Sequence, residues 1–159
     1  MTVANKKERS PAEIVPGPAS VSVLYDCAMK PDFSGTWTAD LSKSTFAGPK
    51  PASLLVVVEH RDPEFRQELV VTKADGSTDR AVFGCQIGDE GTLLFNGSQL
   101  RGAAKWVGDE LMIESWVRIG ERELYFCDCW SLSPDGQRLT MEHRNDALAG
   151  QRVECQRVP

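Results

Sequence analysis

The sequence predicts an all-β fold, a single antiparallel up-and-down meander of eight to ten strands closed into a barrel, and three observations predict it. Turn signals recur at short spacing: Asp75-Gly76, Gly88-Asp89-Glu90-Gly91, Asn96-Gly97, Gly108-Asp109, Gly120-Glu121, Pro134-Asp135-Gly136 and Ala149-Gly150. Such pairs supply the positive φ and the local side-chain hydrogen bonds that tight hairpins need. Between them gather β-branched and aromatic residues, as in Val56-Val57-Val58, Val70-Val71-Thr72, Tyr125-Phe126 and Trp130, which pack well on a pleated surface. No window of about 12 residues shows convincing helical periodicity. A meander of this length closes or forms a sandwich; closure removes exposed edges, and regular short connections favour the up-and-down barrel.

In chain order, residues 1–30 are rich in Pro, Ala, Ser and charge, with a strand-like pattern only at Val21-Ser22-Val23-Leu24-Tyr25. They are expected to form an N-terminal arm, either a partly disordered tail with one anchor or a lid across a barrel mouth, ahead of a barrel domain over 31–159. The barrel opens at Pro31-Asp32-Phe33-Ser34-Gly35-Thr36-Trp37, where Gly35 would let neighbouring backbone approach and Trp37 would plug one end. Strands are expected over 34–41, 53–61, 64–74, 77–87, 92–96, 99–107, 110–118, 122–132, 137–145 and 151–158. The pieces flanking Asn96-Gly97 are short enough to pair as one hairpin, hence the range in strand number. Asn96-Gly97-Ser98 also matches a glycosylation triplet, but Asn-Gly is the stronger hairpin signal.

A chain of 159 residues supports one core, and 41% hydrophobic with 26% charged residues is an ordinary globular composition. A net charge of -5, with no basic stripe interleaved with aromatics, argues against a nucleic-acid partner. No apolar run approaches the roughly 20 residues of a spanning helix, since Leu54-Leu55-Val56-Val57-Val58 ends at Glu59. Lys6-Lys7-Glu8-Arg9 is followed by prolines 11, 16 and 18, where a signal peptide would place its apolar helix. The five cysteines, Cys27, Cys85, Cys127, Cys129 and Cys155, are odd in number and irregularly spaced, so at least one thiol is free and a cytoplasmic location is expected. Cys127 and Cys129 lack the spacing of a zinc or thioredoxin-type site and are expected to be ordinary buried or half-buried thiols. No cofactor and no metal are expected; the expected partner is a small hydrophobic molecule, bound by a monomer or homodimer.

Strand alternation sorts the groups that can carry chemistry. Over 122–132, Leu124, Phe126, Asp128, Trp130 and Leu132 share one face, the more apolar and the expected inward one. Asp128 would then be a desolvated carboxylate between aromatics, a candidate acid or base; the alternative is an Asp facing water. Leu139, Met141 and His143 share a face of the next strand, which would bring His143 to Asp128 as a proton-shuttling pair, unless His143 is a rim residue beside Arg144 and Asn145. Over 110–118, either Leu111, Ile113, Ser115 and Val117 or Met112, Glu114, Trp116 and Arg118 line the barrel, and the second set would form a polar-aromatic wall containing a further catalytic candidate, Glu114. The other histidine, His60, precedes Arg61-Asp62-Pro63 and is expected to be exposed. The expected ligand-binding residues are Trp116, Tyr125, Phe126, Trp130 and Met141.

Asp32-Phe33-Ser34-Gly35-Thr36-Trp37 resembles the start of lipocalins and intracellular fatty-acid-binding proteins, the calycin group of ligand-holding barrels. Together with Lys43-Ser44 and the stretch Trp130 to Leu139, it is also similar to a set of bacterial lipocalin-like chains, a resemblance covering about residues 32–158. The lipocalin pattern implies that Trp37 sits at the closed end with a basic residue of the last strand across its ring, Arg157 and Arg152 being the candidates. The fatty-acid-binding pattern carries Arg-x-Tyr on that strand; here Cys155-Gln156-Arg157 has no tyrosine, which departs from a fatty-acid site. The resemblance implies a lipocalin-like barrel that binds a small hydrophobic or amphipathic molecule. An alternative is a barrel enzyme that cyclises or isomerises a hydrophobic metabolite, using Asp128, His143, Glu114 and Tyr125. A third is an interaction module with a solid core.

Overall fold

The computed structural model describes residues 30–159, of which Pro31–Pro159 form one compact unit. The arm expected over residues 1–30 lies, but for Lys30, outside the described residues. Ten strands follow: β1 (Gly35–Ala39), β2 (Ser53–Arg61), β3 (Glu64–Thr72), β4 (Thr78–Gln86), β5 (Glu90–Phe95), β6 (Ser98–Val107), β7 (Glu110–Ile119), β8 (Arg122–Leu132), β9 (Arg138–His143) and β10 (Arg152–Arg157). Each pairs antiparallel with its sequence neighbour, and β1 pairs with β10 to close the barrel. Expected and observed strand ends differ by at most two residues, and the arms beside Asn96-Gly97 are separate strands, β5 and β6. Asn96 and Gly97 take φ of 48° and 83°, the left-handed pair that a two-residue hairpin needs. A 3-10 turn at Asp146–Leu148, between β9 and β10, was not expected. No helix among the described residues is long and apolar enough to cross a membrane.

Register decides which side chains lie inside. Trp37 of β1 stands opposite Val56 and Arg157, and Val56 opposite Leu69, so the alternate residues of these strands share the inner face. On β7 and β8 the pairs Leu111↔Trp130, Ile113↔Asp128 and Ser115↔Phe126 are inward. Leu111, Ile113 and Trp130 belong to the buried core.

One end is filled by aromatics. Phe33 stacks on Trp106 with 6.0 Å between centroids and meets Trp130 edge-on at 6.1 Å, while Phe65 meets Trp130 edge-on at 5.8 Å. Trp37 is fully buried and donates its indole N–H to the Phe33 carbonyl at 3.0 Å. The guanidinium of Arg157 lies 4.2 Å from the Trp37 ring centre and donates to the carbonyls of Ser34 (2.6 Å) and Gly136 (3.1 Å). Of the two basic candidates for this contact, Arg157 makes it. Gly35 has a different reason from the expected one: with φ of 136°, a Cβ there would run into the Arg157 guanidinium rather than into neighbouring backbone.

His60 is a correction. It was expected to be exposed beside a turn, but it continues the inward face of β2 and its side chain is 3% exposed. Its Nδ1 accepts the Phe33 N–H at 3.2 Å, and the Ser34 hydroxyl bridges its backbone, donating to the His60 carbonyl (2.8 Å) and accepting its N–H (2.9 Å). The polar turn Arg61-Asp62-Pro63 begins one residue too late to carry the imidazole outward.

The closed end generates a stability prediction. Arg157→Ala removes two hydrogen bonds from a charged donor and the contact with Trp37, and should lower the unfolding free energy by roughly 3 kcal/mol in urea. A loss under about 0.5 kcal/mol, the range of a neutral surface change, would show that Arg157 does not lock this end.

Candidate functional site

On β7 and β8 burial falls along the inward face from the closed end to the other, whereas on β2 and β9 Leu54 and His143 stay buried, at 6% exposure each. On β7, Leu111 is 0% and Ile113 8% exposed, whereas Ser115 and Val117 are half-buried; on β8, Trp130 is 4% exposed, Asp128 and Phe126 are half-buried and Leu124 is exposed. These strands are paired on both sides, so solvent reaches the inward side chains from within. The inward positions of β7 and β8 are therefore less completely filled toward this end.

Inside the barrel, β8 and β9 place Asp128 directly opposite His143. The two side chains meet, His143 Nδ1 lying 2.9 Å from Asp128 Oδ1, and the Phe126 ring stands edge-on to the imidazole at 6.1 Å. The His143 side chain is 0% exposed, so it is not a rim residue; that of Asp128 is 39% exposed. Burial pushes the Asp128 carboxyl up, and the hydrogen bond and charge of His143 offset this only in part. His143 Nε2 and Gln67 Oε1 are buried without hydrogen-bond partners. Gln67 lies on the inward face of β3 between Phe65 and Leu69, and was missed in the sequence although a polar residue on an alternating apolar face was the available signal.

At the same end, a cavity of about 690 Å³ opens at the mouth, lined by Phe46, Leu54, Leu69, Val71 and Leu148 among others, with Lys50, Lys73 and Asp79. Its volume suits a small organic ligand. It is tied to the dyad through the backbone: the His143 N–H donates to the carbonyl of Gln151, a lining residue, at 2.9 Å. Lys73 is paired with Asp79 at 3.3 Å, and Asn96 donates to the same Asp79 at 2.9 Å.

The structure divides the remaining candidates. Phe126, Trp130 and Met141 are inward, as expected, with Trp130 in the closed-end aromatic cluster. Glu114, Trp116 and Tyr125 are corrected to the outer face, because Leu111, Ile113, Ser115 and Val117 take the inner positions of β7. They form a cluster there: Tyr125 donates to Glu114 at 3.0 Å, Lys105 pairs with Glu114 at 3.1 Å, and Arg101 lies 4.3 Å from the Trp116 ring centre. Burial, and then the neighbouring Cys127 thiol and Glu114, hold the Tyr125 hydroxyl well above its usual range. Cys127 and Cys129 are buried outside the main core, and Asn145 covers their strand by accepting the Cys127 N–H (3.2 Å) and donating to the Tyr125 carbonyl (2.6 Å). Burial pushes the Cys155 thiol up to about 12 and Cys85 to about 11, which makes both poor nucleophiles. Among the described residues no group of three or more His, Cys, Asp or Glu side chains converges as a metal site requires.

No family model matches the chain, and no curated protein matches it significantly.

The raised carboxyl has a signed consequence. With Asp128 above its ordinary 3.8, the folded state holds this proton more tightly than the unfolded one, so the contribution is full below 3.8 and is lost as pH rises through the raised value. Asp128→Asn cannot titrate, so urea unfolding from about pH 3.5 to pH 7 should show the variant gaining stability relative to the wild-type chain. A difference that stays flat, or moves the other way, would contradict a carboxyl desolvated in the lumen.

Proposed function

We propose that this barrel binds a small hydrophobic or amphipathic molecule in its lumen, in the manner of the calycin group that the stretch from Asp32 to Trp37 resembles. One observation carries the reading: inward side chains of fully paired strands, from Ser115 and Val117 to Phe126 and Asp128, are only half-buried. A barrel serving as a solid stability module would bury them as completely as it buries Leu111 and Trp37, both 0% exposed. The apolar mouth beside them offers a route in, and the Arg157–Trp37 contact supports the lipocalin comparison at the other end.

The test is a neutral apolar dye, N-phenyl-1-naphthylamine, whose emission rises when it leaves water. The wild-type chain should bind it at micromolar concentration. Ser115→Trp, which fills the lumen without touching the outer face, should weaken binding at least tenfold while leaving the unfolding midpoint within a few degrees. No dye binding by the wild-type chain, or undiminished binding by Ser115→Trp, would refute a lumenal site.

A second reading is turnover, favoured by the hydrogen bond between Asp128 and His143. Such a pair can take a proton from carbon and return it at another, as isomerisation of a hydrophobic metabolite requires, and a positioned base typically contributes about 100-fold or more. It predicts faster deuterium exchange into 2-decanone in heavy water, followed by mass spectrometry, with His143→Gln falling to the buffer rate. Exchange at the buffer rate with the wild-type chain would leave binding alone.

A further inference from the structure

We propose that the molecule held in the lumen is a hydrophobic amine, and that Asp128, held by His143, receives its nitrogen. This rests on the ligand-binding reading above and narrows it to a chemical class.

The charges on the inner face are lopsided. Among the described residues, Asp128 is the one carboxylate on that face below the mouth, since Asp79 lies at the rim and is engaged by Lys73 and Asn96. No lysine shares the inner face. Arg157 does, but it is committed at the closed end to the Trp37 ring and the carbonyls of Ser34 and Gly136. Arg122 has inward parity only at the exposed start of β8, beyond Leu124. Below the mouth, where Lys50 and Lys73 stand, a carboxylate would meet a like charge and no free cation, and taking any charge out of water without a partner is costly. An ammonium would meet its counter-ion.

Hydrogen-bond capacity points the same way. With Asp128 ionised, the imidazole donates from Nδ1 to Oδ1, which leaves His143 Nε2 a lone-pair acceptor. Asp128 Oδ2 makes no hydrogen bond among the described residues, and Gln67 Oε1 has none either. His143 Nε2 and Gln67 Oε1 are thus unmatched acceptors, each on a side chain of a residue more than nine-tenths buried, at 6% and 9% exposure, while the unmatched donor of the inner face, His60 Nε2, stands apart at the closed end. A primary ammonium brings three donors; a carboxylate brings none. Phe126, half-buried beside Asp128 on the same face, adds an aromatic surface that favours a cation. The rise that burial imposes on the Asp128 carboxyl agrees with an ionised form that gains from an incoming cation.

Displacement of N-phenyl-1-naphthylamine by three ten-carbon probes, decylamine, decanol and decanoate, tests this at pH 8 and below their micelle concentrations. Decylamine should displace the dye at a concentration about tenfold lower than decanol, a difference worth about 1.4 kcal/mol, with decanoate weakest. Asp128→Asn should bring decylamine to the level of decanol, with an unfolding midpoint within a few degrees of the wild-type chain's reporting that the variant is folded. Decanoate matching decylamine on the wild-type chain would overturn the proposal without any variant. So would an amine preference that survives Asp128→Asn. Failure of the wild-type chain to bind the dye refutes the lumenal site itself, and the amine with it.

Discussion

Everything in this molecule follows from closure of the meander through the short ladder between β1 and β10, where Trp37, Thr38 and Ala39 stand opposite Arg157, Gln156 and Cys155. A sheet that failed to join there would expose two edges and lose the distinction between inside and outside. The junction is reinforced where it is shortest: Arg157 lies across Trp37 and reaches back to Ser34 and forward to Gly136, so one guanidinium holds β1, β10 and the turn before β9 together. Gly35 leaves the space this requires. Once closure is secured, the two-residue period of each strand assigns every side chain to the lumen or the outer surface.

That assignment explains how one barrel is solid at one end and open at the other. At the closed end the inward positions carry Phe33, Trp37, Phe65, Trp106 and Trp130, whose rings fill the cross-section. Further from that end the inward positions of β7 and β4 carry Ser115, Val117 and Ala81, which are smaller. The polar members of this half, Asp128, His143 and Gln67, stand on strands β8, β9 and β3, and the lumen is where their unmatched atoms can be answered. A ligand that supplies apolar surface and hydrogen-bond donors satisfies both needs together.

Much of this was legible in the residues. The hairpin signals set the strands because Gly and Asn solve a local backbone problem that no distant contact changes, and Asn96-Gly97 does so at the shortest connection. The neighbourhood of Asp128 and His143 was legible too, because parity on two adjacent strands brings the residues to one face. What parity leaves open is which face points inward, and a strand such as β7 is ambiguous when Leu111, Ile113, Ser115 and Val117 alternate with Met112, Glu114, Trp116 and Arg118. The outer aromatics Trp116 and Tyr125 look like lumenal residues until Arg101 and Glu114 are seen to satisfy them outside. His60 misled for the opposite reason: although Asp62 lies 3.7 Å from its Nε2, the ring itself packs among Phe33, Phe65 and Trp106, which are distant in sequence.

Carbodiimide labelling of carboxyl groups on the native chain, read residue by residue by mass spectrometry, decides whether solvent reaches Asp128 inside the barrel. Asp128 should be labelled at a rate comparable with Glu110, whose side chain is also 39% exposed, and Ser115→Trp should suppress that labelling while leaving Glu110 unchanged. An Asp128 that resists labelling in the native wild-type chain and reacts only after unfolding would mean that the barrel is filled, and would contradict the account.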